Sequence, residues 1–490
     1  MISITKLPDD ALRVIFDHYL YGVRLEGERK KEEEAWQSLA HVCRQWRRIV
    51  FQSPRLLDLW LVCTGKSPVR DRLDVWPALP LIILSERDYP NASTRSMVYV
   101  DNIIAALERT DRVCHINLGN FSTLYLEIFL AQHHEYPTLT NVSSSDMEIF
   151  LAAMQHPFPA LTNLSLHSND ETQVVSDSFL GGSAPSLEVL TLSKISFPGL
   201  PKLLLSATHL RNLTLRIPRS GYFPPDAIVT VLSTLTSLAF LKLNFLSPRS
   251  CPDQTSRRPP PLTHSILPVL TTFKFKGVTE YLDDLLACID APKLGSLRIT
   301  FFNDTVFDAP QLIQFINRTP KLEAHTNADI YLRDDAITFS SDSFRNGNLK
   351  VEILSQVLDW QLLSLEQVCN SCLPPLSMMN LYVCERLLQL DWPNDIDNEL
   401  WVELLRPFSA VKNLYLSHEA GSRVALALQE LVEGRATEVM PTVLPTLQNI
   451  FVKGLRSFGP EFEALRQFVT ARRVSGQHIE LSPWFISSNG

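Results

Sequence analysis

One short pattern recurs along most of the chain: a leucine, two variable residues, then two apolar residues separated by a single position. Clear copies begin at the following anchors: Leu56, Leu79, Val113, Leu161, Leu187, Leu210, Leu238, Leu270, Leu294, Leu376, Val411 and Leu447. Weaker copies begin at Leu139, Leu322 and Leu349, and the spacing of successive anchors then runs from 22 residues (Leu139 to Leu161) to 36 (Val411 to Leu447). Such a period is typical of a solenoid, because one unit cannot bury its own apolar side and neighbouring units must stack.

Each copy predicts a short strand whose alternate side chains point into a core, as with Leu164 and Leu166. Segments between copies, such as "DAIVTVLSTL" and "YLDDLLACI", have helical spacing. We therefore predict an α/β fold over residues 54–490: parallel strands on a concave side, helices outside, and irregular curvature because the spacing is irregular. A Pro/Arg-rich segment, residues 247–261, cannot continue a helix or a central strand and predicts an insertion loop.

A different pattern occupies residues 1–53. "LPDDALRVIF" places Pro8 in a first helical turn, where its missing N–H costs nothing, followed by two aspartates that suit the positive end of the helix dipole. The apolar residues then recur at helical spacing and predict one buried face: Leu12, Ile15, Phe16 and Tyr19. The charged stretch from Gly22 to Ala35 predicts a solvated loop, and a second helix is predicted from Trp36 to Val50. A helical unit this small is marginal alone, which favours a partner.

Composition restricts the location and the partners. The net charge of −8 argues against nucleic acid as the main partner. No run approaches the roughly 18 apolar residues that cross a bilayer, and the first residues lack the pattern of a secretory signal. The eight cysteines are scattered without a disulfide framework. We therefore expect a cytoplasmic or nuclear protein with no membrane contact.

The N-terminal residues resemble an F-box, in which Leu-Pro, an Ile-Phe pair, Val-Cys and a Trp occur in order. The matching positions are Leu7, Pro8, Ile15, Phe16, Val42, Cys43 and Trp46. The stretch from Leu20 to Val42 is about ten residues longer than in the family. "SPRLLDLWL" is similar to the segment that joins F-boxes to repeats in fungal proteins, and the remainder resembles leucine-rich repeats. The resemblance is thus to a fungal-type F-box protein with C-terminal leucine-rich repeats.

The resemblance implies a non-catalytic subunit of an SCF (Skp–cullin–F-box) ubiquitin ligase. The seven F-box residues would bind a Skp-type adaptor, and through it a cullin, while the repeats hold a target protein for ubiquitin-dependent degradation. The basic residues Arg44, Arg47 and Arg48 would meet an acidic adaptor or remain solvated. Two alternatives stay open: an interaction scaffold that docks no adaptor, and a secreted leucine-rich-repeat receptor, which would need a signal sequence and cysteine caps.

The residues that alternate with the inward-pointing pairs are predicted to project from the concave face. Among 18 such positions in the central copies none is acidic and five are basic: Arg216, Lys242, Lys274, Lys276 and Arg298. This predicts a positive surface for an acidic or phosphorylated target, since Arg grips carboxylate or phosphate bidentately and Lys acts as a point charge. Analogous positions further along are aromatic, at Tyr382, Tyr415 and Phe451.

Signals of enzyme chemistry are weak in this sequence. Cys369 and Cys372 have the spacing of a redox or zinc pair, but a structural zinc site needs two more ligands nearby. There is no Gly-rich phosphate loop and no nucleophile elbow. We expect no catalytic residue, no metal and no cofactor.

Overall fold

A computed structural model gives the fold of the chain. It describes the following residues: 7–24, 29–52, 57, 59–65, 68–76, 78–85, 97–119, 144–169, 171–248, 264–302, 309–322, 326–343, 347–372, 378–386, 398–433, 443–455 and 459–484. Two compact units divide the chain, Met1–Tyr222 (unit 1) and Phe223–Gly490 (unit 2). The weak copy at Leu139 and most of the insertion at 247–261 lie outside the described residues.

Unit 1 begins with three helices, α1 (Asp9–Arg24), α2 (Arg29–Val42) and α3 (Arg44–Gln52). The predicted loop is wrong over residues 29–35: this stretch is rich in Glu, Lys and Arg, which are good helix formers, and it makes the first half of α2. The predicted second helix is broken at Cys43, whose thiol accepts a hydrogen bond from the Trp46 amide (3.5 Å) and so caps α3.

The predicted buried face of α1 is partly wrong. Its buried side chains are Leu12, Phe16 and Leu20, one turn apart. Ile15 and Tyr19 were predicted on that face, but they lie beside it and are exposed. The apolar stripe of α1 is thus wider than the surface that α2 and α3 cover.

In the described part of unit 1, six parallel strands follow, hydrogen-bonded in chain order. Their bounds are β1 (Leu61–Thr64), β2 (Leu81–Leu84), β3 (Val113–Leu118), β4 (Asn163–His167), β5 (Val189–Ser193) and β6 (Asn212–Ile217). The helices between them are α4 (Val69–Val75), α5 (Met97–Leu107), α6 (Ser144–Ala153) and α7 (Leu200–Ser206). The predicted alternation is confirmed in β4, where Leu164 and Leu166 are fully buried. The first strand begins at Leu61, later than the copy at Leu56 predicts.

Unit 2 also contains a long sheet that is mostly parallel. Its strands in chain order are β7 (Phe240–Phe245), β9 (Thr272–Gly277), β11 (Ser296–Phe301), β12 (Asn327–Arg333), β13 (Ala336–Ser343), β14 (Gly347–Leu354), β15 (Asn380–Arg386), β16 (Asn413–Leu416), β17 (Asn449–Lys453) and β18 (Glu480–Trp484). A separate parallel pair joins β8 (Ser265–Ile266) to β10 (Ile289–Asp290). The helices are α8 (Pro225–Leu232), α9 (Thr279–Leu286), α10 (Pro310–Asn317), α11 (Leu358–Cys372), α12 (Asn398–Leu405), α13 (His418–Glu433) and α14 (Pro460–Val474).

The prediction of parallel strands throughout is wrong in the middle of unit 2. Strands β12, β13 and β14 form an antiparallel meander, so that the sheet order is β7-β9-β11-β14-β13-β12-β15-β16-β17-β18. A two-residue turn at Asp334 and Asp335 joins β12 to β13. The copy at Leu376 is also out of register, because the inward pair is Leu381 and Val383 while Met379 is exposed.

The strands present two unlike sides. In unit 2, α13 packs against β15, β16 and β17 on the side where alternate residues are buried. The opposite side carries the partly exposed residues of each strand, and we call it the open face. Among the described residues, no helix is long and apolar enough to cross a bilayer.

Candidate docking surfaces

The seven N-terminal residues predicted to bind an adaptor separate into an inner and an outer group. Phe16 is fully buried and packs on the half-buried Trp46, with ring centroids 4.7 Å apart. Ile15 and Val42 are 44% and 58% exposed, and Pro8 is exposed as well. Leu7 and Cys43 are half-buried. Phe16 therefore serves the core of the helices, and Ile15 and Val42 present apolar surface to solvent.

Two of the three basic residues on α3 have intrachain roles. Arg48 pairs with the Asp9 carboxylate at 3.0 Å, which ties the start of α1 to α3. A hydrogen bond from Gln45 (3.1 Å) lowers the pKa of the Asp9 carboxyl, and the charge of Arg48 lowers it further. The Arg47 Nε donates to the Ala40 carbonyl at 3.0 Å. Arg44 is exposed, as are Arg47 and Arg48, and whether these residues meet an acidic adaptor or remain solvated stays a prediction.

Arg216, a predicted target residue of unit 1, lies in a row of polar residues. The strand register places His167, Ser193 and Arg216 side by side on β4, β5 and β6. Burial, followed by the positive charges of Arg216 and Lys194, lowers the pKa of His167 to about 4. His167 is thus uncharged at neutral pH and adds hydrogen-bonding capacity rather than charge to this row.

The low pKa of His167 gives a pH dependence of stability. Between pH 6.5 and about 4 the unfolded chain binds a proton at this ring that the folded chain does not. We expect this group to lower the free energy of unfolding as the pH falls through that window, by up to about 1.4 kcal/mol per pH unit. Urea unfolding at a series of pH values measures the slope. His167→Asn should flatten it, whereas His209→Asn, at an exposed position, should not; equal slopes for the two variants would contradict the assignment.

The predicted basic residues of unit 2 are in direct register. Lys242 on β7 lies opposite Lys274 on β9, and Lys274 lies opposite Arg298 on β11. Lys276 follows two residues later on β9, opposite Thr300. The ammonium groups of Lys274 and Lys276 each lie over a phenyl ring, 5.6 and 5.5 Å from the centroids of Phe240 and Phe302. These aromatic contacts hold the two lysines close to the sheet.

The meander adds charged residues that the repeat pattern did not predict. Lys350 on β14 lies opposite Arg298 and extends the row to four basic residues, which we call the basic row: Lys242, Lys274, Arg298 and Lys350. Glu352 follows on β14, accepts from the Thr300 hydroxyl (3.0 Å) and pairs with Arg333 (2.8 Å). Its carboxylate is also 3.9 Å from the Lys350 ammonium. The open face of unit 2 is therefore not free of acids.

Aromatic residues occupy the open face beyond the meander. Tyr382, Tyr415 and Phe451 lie in register on β15, β16 and β17, with stacked rings whose centroids are 4.3 and 4.7 Å apart. Trp484 on β18 meets Tyr415 at 5.6 Å and Tyr382 at 6.0 Å. We call these four residues the aromatic cluster. The sequence predicts the first three from the repeat, but Trp484 stands in a strand without the leucine pattern.

An asparagine ladder fixes the strands beneath these rings. Amide-to-amide hydrogen bonds of 2.7 Å run from Asn380 to Asn327, from Asn413 to Asn380 and from Asn449 to Asn413. Asn380, Asn413 and Asn449 each precede a ring residue by two positions, on the same side of the sheet, and Asn327 precedes Asp329 in the same way. The ladder therefore fixes the strand spacing from which the rings project.

The cysteine pair that resembles a redox or zinc motif lies on α11, where Cys369 is buried. Among the residues that the structure describes, no group of three or more His, Cys, Asp or Glu side chains is arranged to hold a metal ion. Cys63 on β1 is also buried, and burial raises the pKa of its thiol to about 12. A thiol with so high a pKa is a poor nucleophile at neutral pH.

Similarity to known proteins is confined to the solved structures. No protein-family model matches the chain, and no curated protein matches it. Among solved structures, it is similar to the leucine-rich repeat-containing protein LegL7 from Legionella pneumophila, with 14% sequence identity and a TM-score of 0.27. That match covers 84% of this chain and 97% of the other. The mixed α/β fold with its long parallel sheet rests on the strand registers given above.

Proposed function

We propose that the chain is the substrate-recognition subunit of an SCF-type ubiquitin ligase. The helices α1–α3 would dock a Skp-type adaptor, and the open faces of the strands would hold the target. One observation carries the proposal: in a three-helix unit with the order of F-box residues, Ile15 and Val42 leave apolar side chains exposed. Exposed apolar residues around a packed aromatic pair are typical of an interface.

Capture of a purified Skp-type adaptor by the full chain tests this role. We expect Ile15→Asp combined with Val42→Asp to weaken binding at least tenfold, because each carboxylate would be desolvated against an apolar partner. Val474→Asp is the matched control, since Val474 is 85% exposed at the end of α14 and belongs to unit 2. Its binding should equal that of the unaltered chain.

Adaptor capture also distinguishes a ligase subunit from an interaction scaffold that docks no adaptor. A chain that binds no adaptor overturns the ligase proposal, even if it binds a target. Adaptor binding that survives both aspartates would mean that the contact is made elsewhere on the chain.

For the target, we propose an acidic or phosphorylated segment. The support is the basic row in unit 2 and the positive pair Arg216 and Lys194 in unit 1, whose charges add to the effect of burial in lowering the pKa of His167. Opposite charges across an interface speed association and select partners. Binding of such a target should therefore weaken as salt concentration rises.

A further inference from the structure

The basic row and the aromatic cluster belong to one continuous line across unit 2. Register pairs lead from Lys350 to Ser340 on β13, then to Asp329 on β12, and then to Tyr382 on β15. The line thus passes over four cations, one hydroxyl and one carboxylate before it reaches three stacked rings. All of these residues alternate with buried neighbours, so they lie on the open face.

We propose that the open face of unit 2 binds an extended peptide running across the strands, with anionic side chains on the basic row and a large apolar side chain on the aromatic cluster. The inference rests on the proposed target-binding role of this face and names the kind of segment that it recognises. The basic row and the aromatic cluster then act as one binding surface.

The residues along the line determine which kind of side chain each end of the peptide carries. Four aligned cations attract carboxylates or phosphates, and the guanidinium of Arg298 can hold either one bidentately. Asp329 sits beside Tyr382, whose pKa is raised by burial, by Tyr415 and by the charge of Asp329. An anionic residue of the peptide is therefore repelled from the aromatic end. Half-buried rings on an open sheet leave apolar surface in water, and an apolar side chain would remove it.

The geometry also sets a spacing. Neighbouring strands lie about 4.8 Å apart, and an extended peptide advances about 3.3 Å per residue. From Arg298 to Tyr382 the line crosses β14, β13 and β12, which makes four steps. Four steps are about 19 Å, or about six residues of peptide. The whole line from Lys242 to Phe451 makes eight steps, which an extended peptide of roughly 12 residues would span.

Peptide selection on the purified chain tests this binding mode without a known target. Random displayed peptides of roughly 12 residues are selected on the immobilised full chain, and the enriched sequences are aligned. We expect two or more acidic residues and, about six positions away, one aromatic or large aliphatic residue. Enrichment of purely acidic peptides, of purely apolar ones, of another spacing, or of no peptide overturns the proposal.

Variants then test where the selected peptides bind. Lys274→Glu with Arg298→Glu should weaken binding at least tenfold, and Tyr415→Ala or the bulkier Tyr415→Leu about tenfold. Lys293→Glu reverses an exposed lysine outside the line and should change affinity less than twofold. Synthetic peptides with phosphoserine in place of the acidic residues show which anion is preferred. Equal affinity for the unaltered chain and the double charge reversal overturns the proposal, whereas adaptor capture is measured separately and is unaffected by either result.

Discussion

Replacement of Trp36 by alanine is expected to lower the free energy of unfolding of unit 1 by about 3–5 kcal/mol. Trp36 is only 2% exposed and meets Trp76 and Phe51 edge to face, with centroids 5.2 and 6.3 Å apart. Its indole N–H donates to the Trp60 carbonyl at 3.1 Å. Since Trp60 and Trp76 belong to the first repeats, this one side chain joins the N-terminal helices to the strands.

Urea unfolding combined with hydrogen exchange of α1–α3 measures the effect. Trp360→Ala is the matched control, because Trp360 is 40% exposed on α11 in unit 2 and should lose much less stability. Trp36→Phe keeps most of the buried area but not the hydrogen bond and should fall between the two. If Trp36→Ala unfolded like Trp360→Ala, the helices would not depend on this contact.

The Trp36 contacts change how the small helical unit should be understood. Because the helical unit is small, the sequence predicts that it needs packing contacts with another structure to be stable. The structure supplies that support within unit 1, through Trp36 and through the ion pair between Glu33 and Arg72 on α4. The small size of the helical unit is therefore no evidence for an adaptor, and the proposed docking depends on the exposed Ile15 and Val42 alone.

The repeat was predictable from the sequence because its signal is local. A leucine pair such as Leu213 and Leu215 fixes a strand and its inward face within six residues, and the register of neighbouring copies follows. The same locality predicts that Lys242, Lys274 and Arg298 share one face. The predicted helices at 226–235 and 281–289 are confirmed by α8 and α9, within a few residues.

The meander was not predictable, because its strands are defined by long-range pairing. Strand β12 has strict alternation, with Ala328, Ile330 and Leu332 buried, but no leucine anchor. The meander lies between β11 and β15 in the sheet order. It therefore places Lys350 and Glu352 of β14 beside residues of β11 that are distant in sequence. For that reason the sequence predicts an open face without the acidic residues Glu352 and Asp329. It also gives no sign that the basic row and the aromatic cluster lie on one line.

Strand β18 shows a second limit of pattern reading. Its sequence "ELSPW" has no inward leucine pair, and Pro483 argues against a central strand. The proline is tolerated because β18 is the last strand in the sheet order. Only this pairing places Trp484 against Tyr415, so no local signal could have found the fourth member of the aromatic cluster.

Arg423→Met is expected to destabilise unit 2 by about 3–5 kcal/mol, because it removes a countercharge from a buried carboxylate. The Glu385 side chain is fully buried on the inner side of β15, and the Arg423 Nη2 on α13 lies 3.4 Å from its Oε1. Arg466→Met is the matched control: the Arg466–Glu463 pair on α14 is largely exposed, and such pairs contribute at most about 1 kcal/mol. Urea unfolding of unit 2 measures both.

The double variant Glu385→Leu with Arg423→Leu separates the cost of a buried carboxylate that has lost the Arg423 charge from the contribution of the ion pair. Removing both charges also removes both desolvation penalties, so the double variant should be within roughly 1 kcal/mol of the unaltered chain and clearly more stable than Arg423→Met. Equal losses in the single and the double variant would mean instead that the packing of the Arg423 stem against the sheet, and not its charge, holds α13 in place.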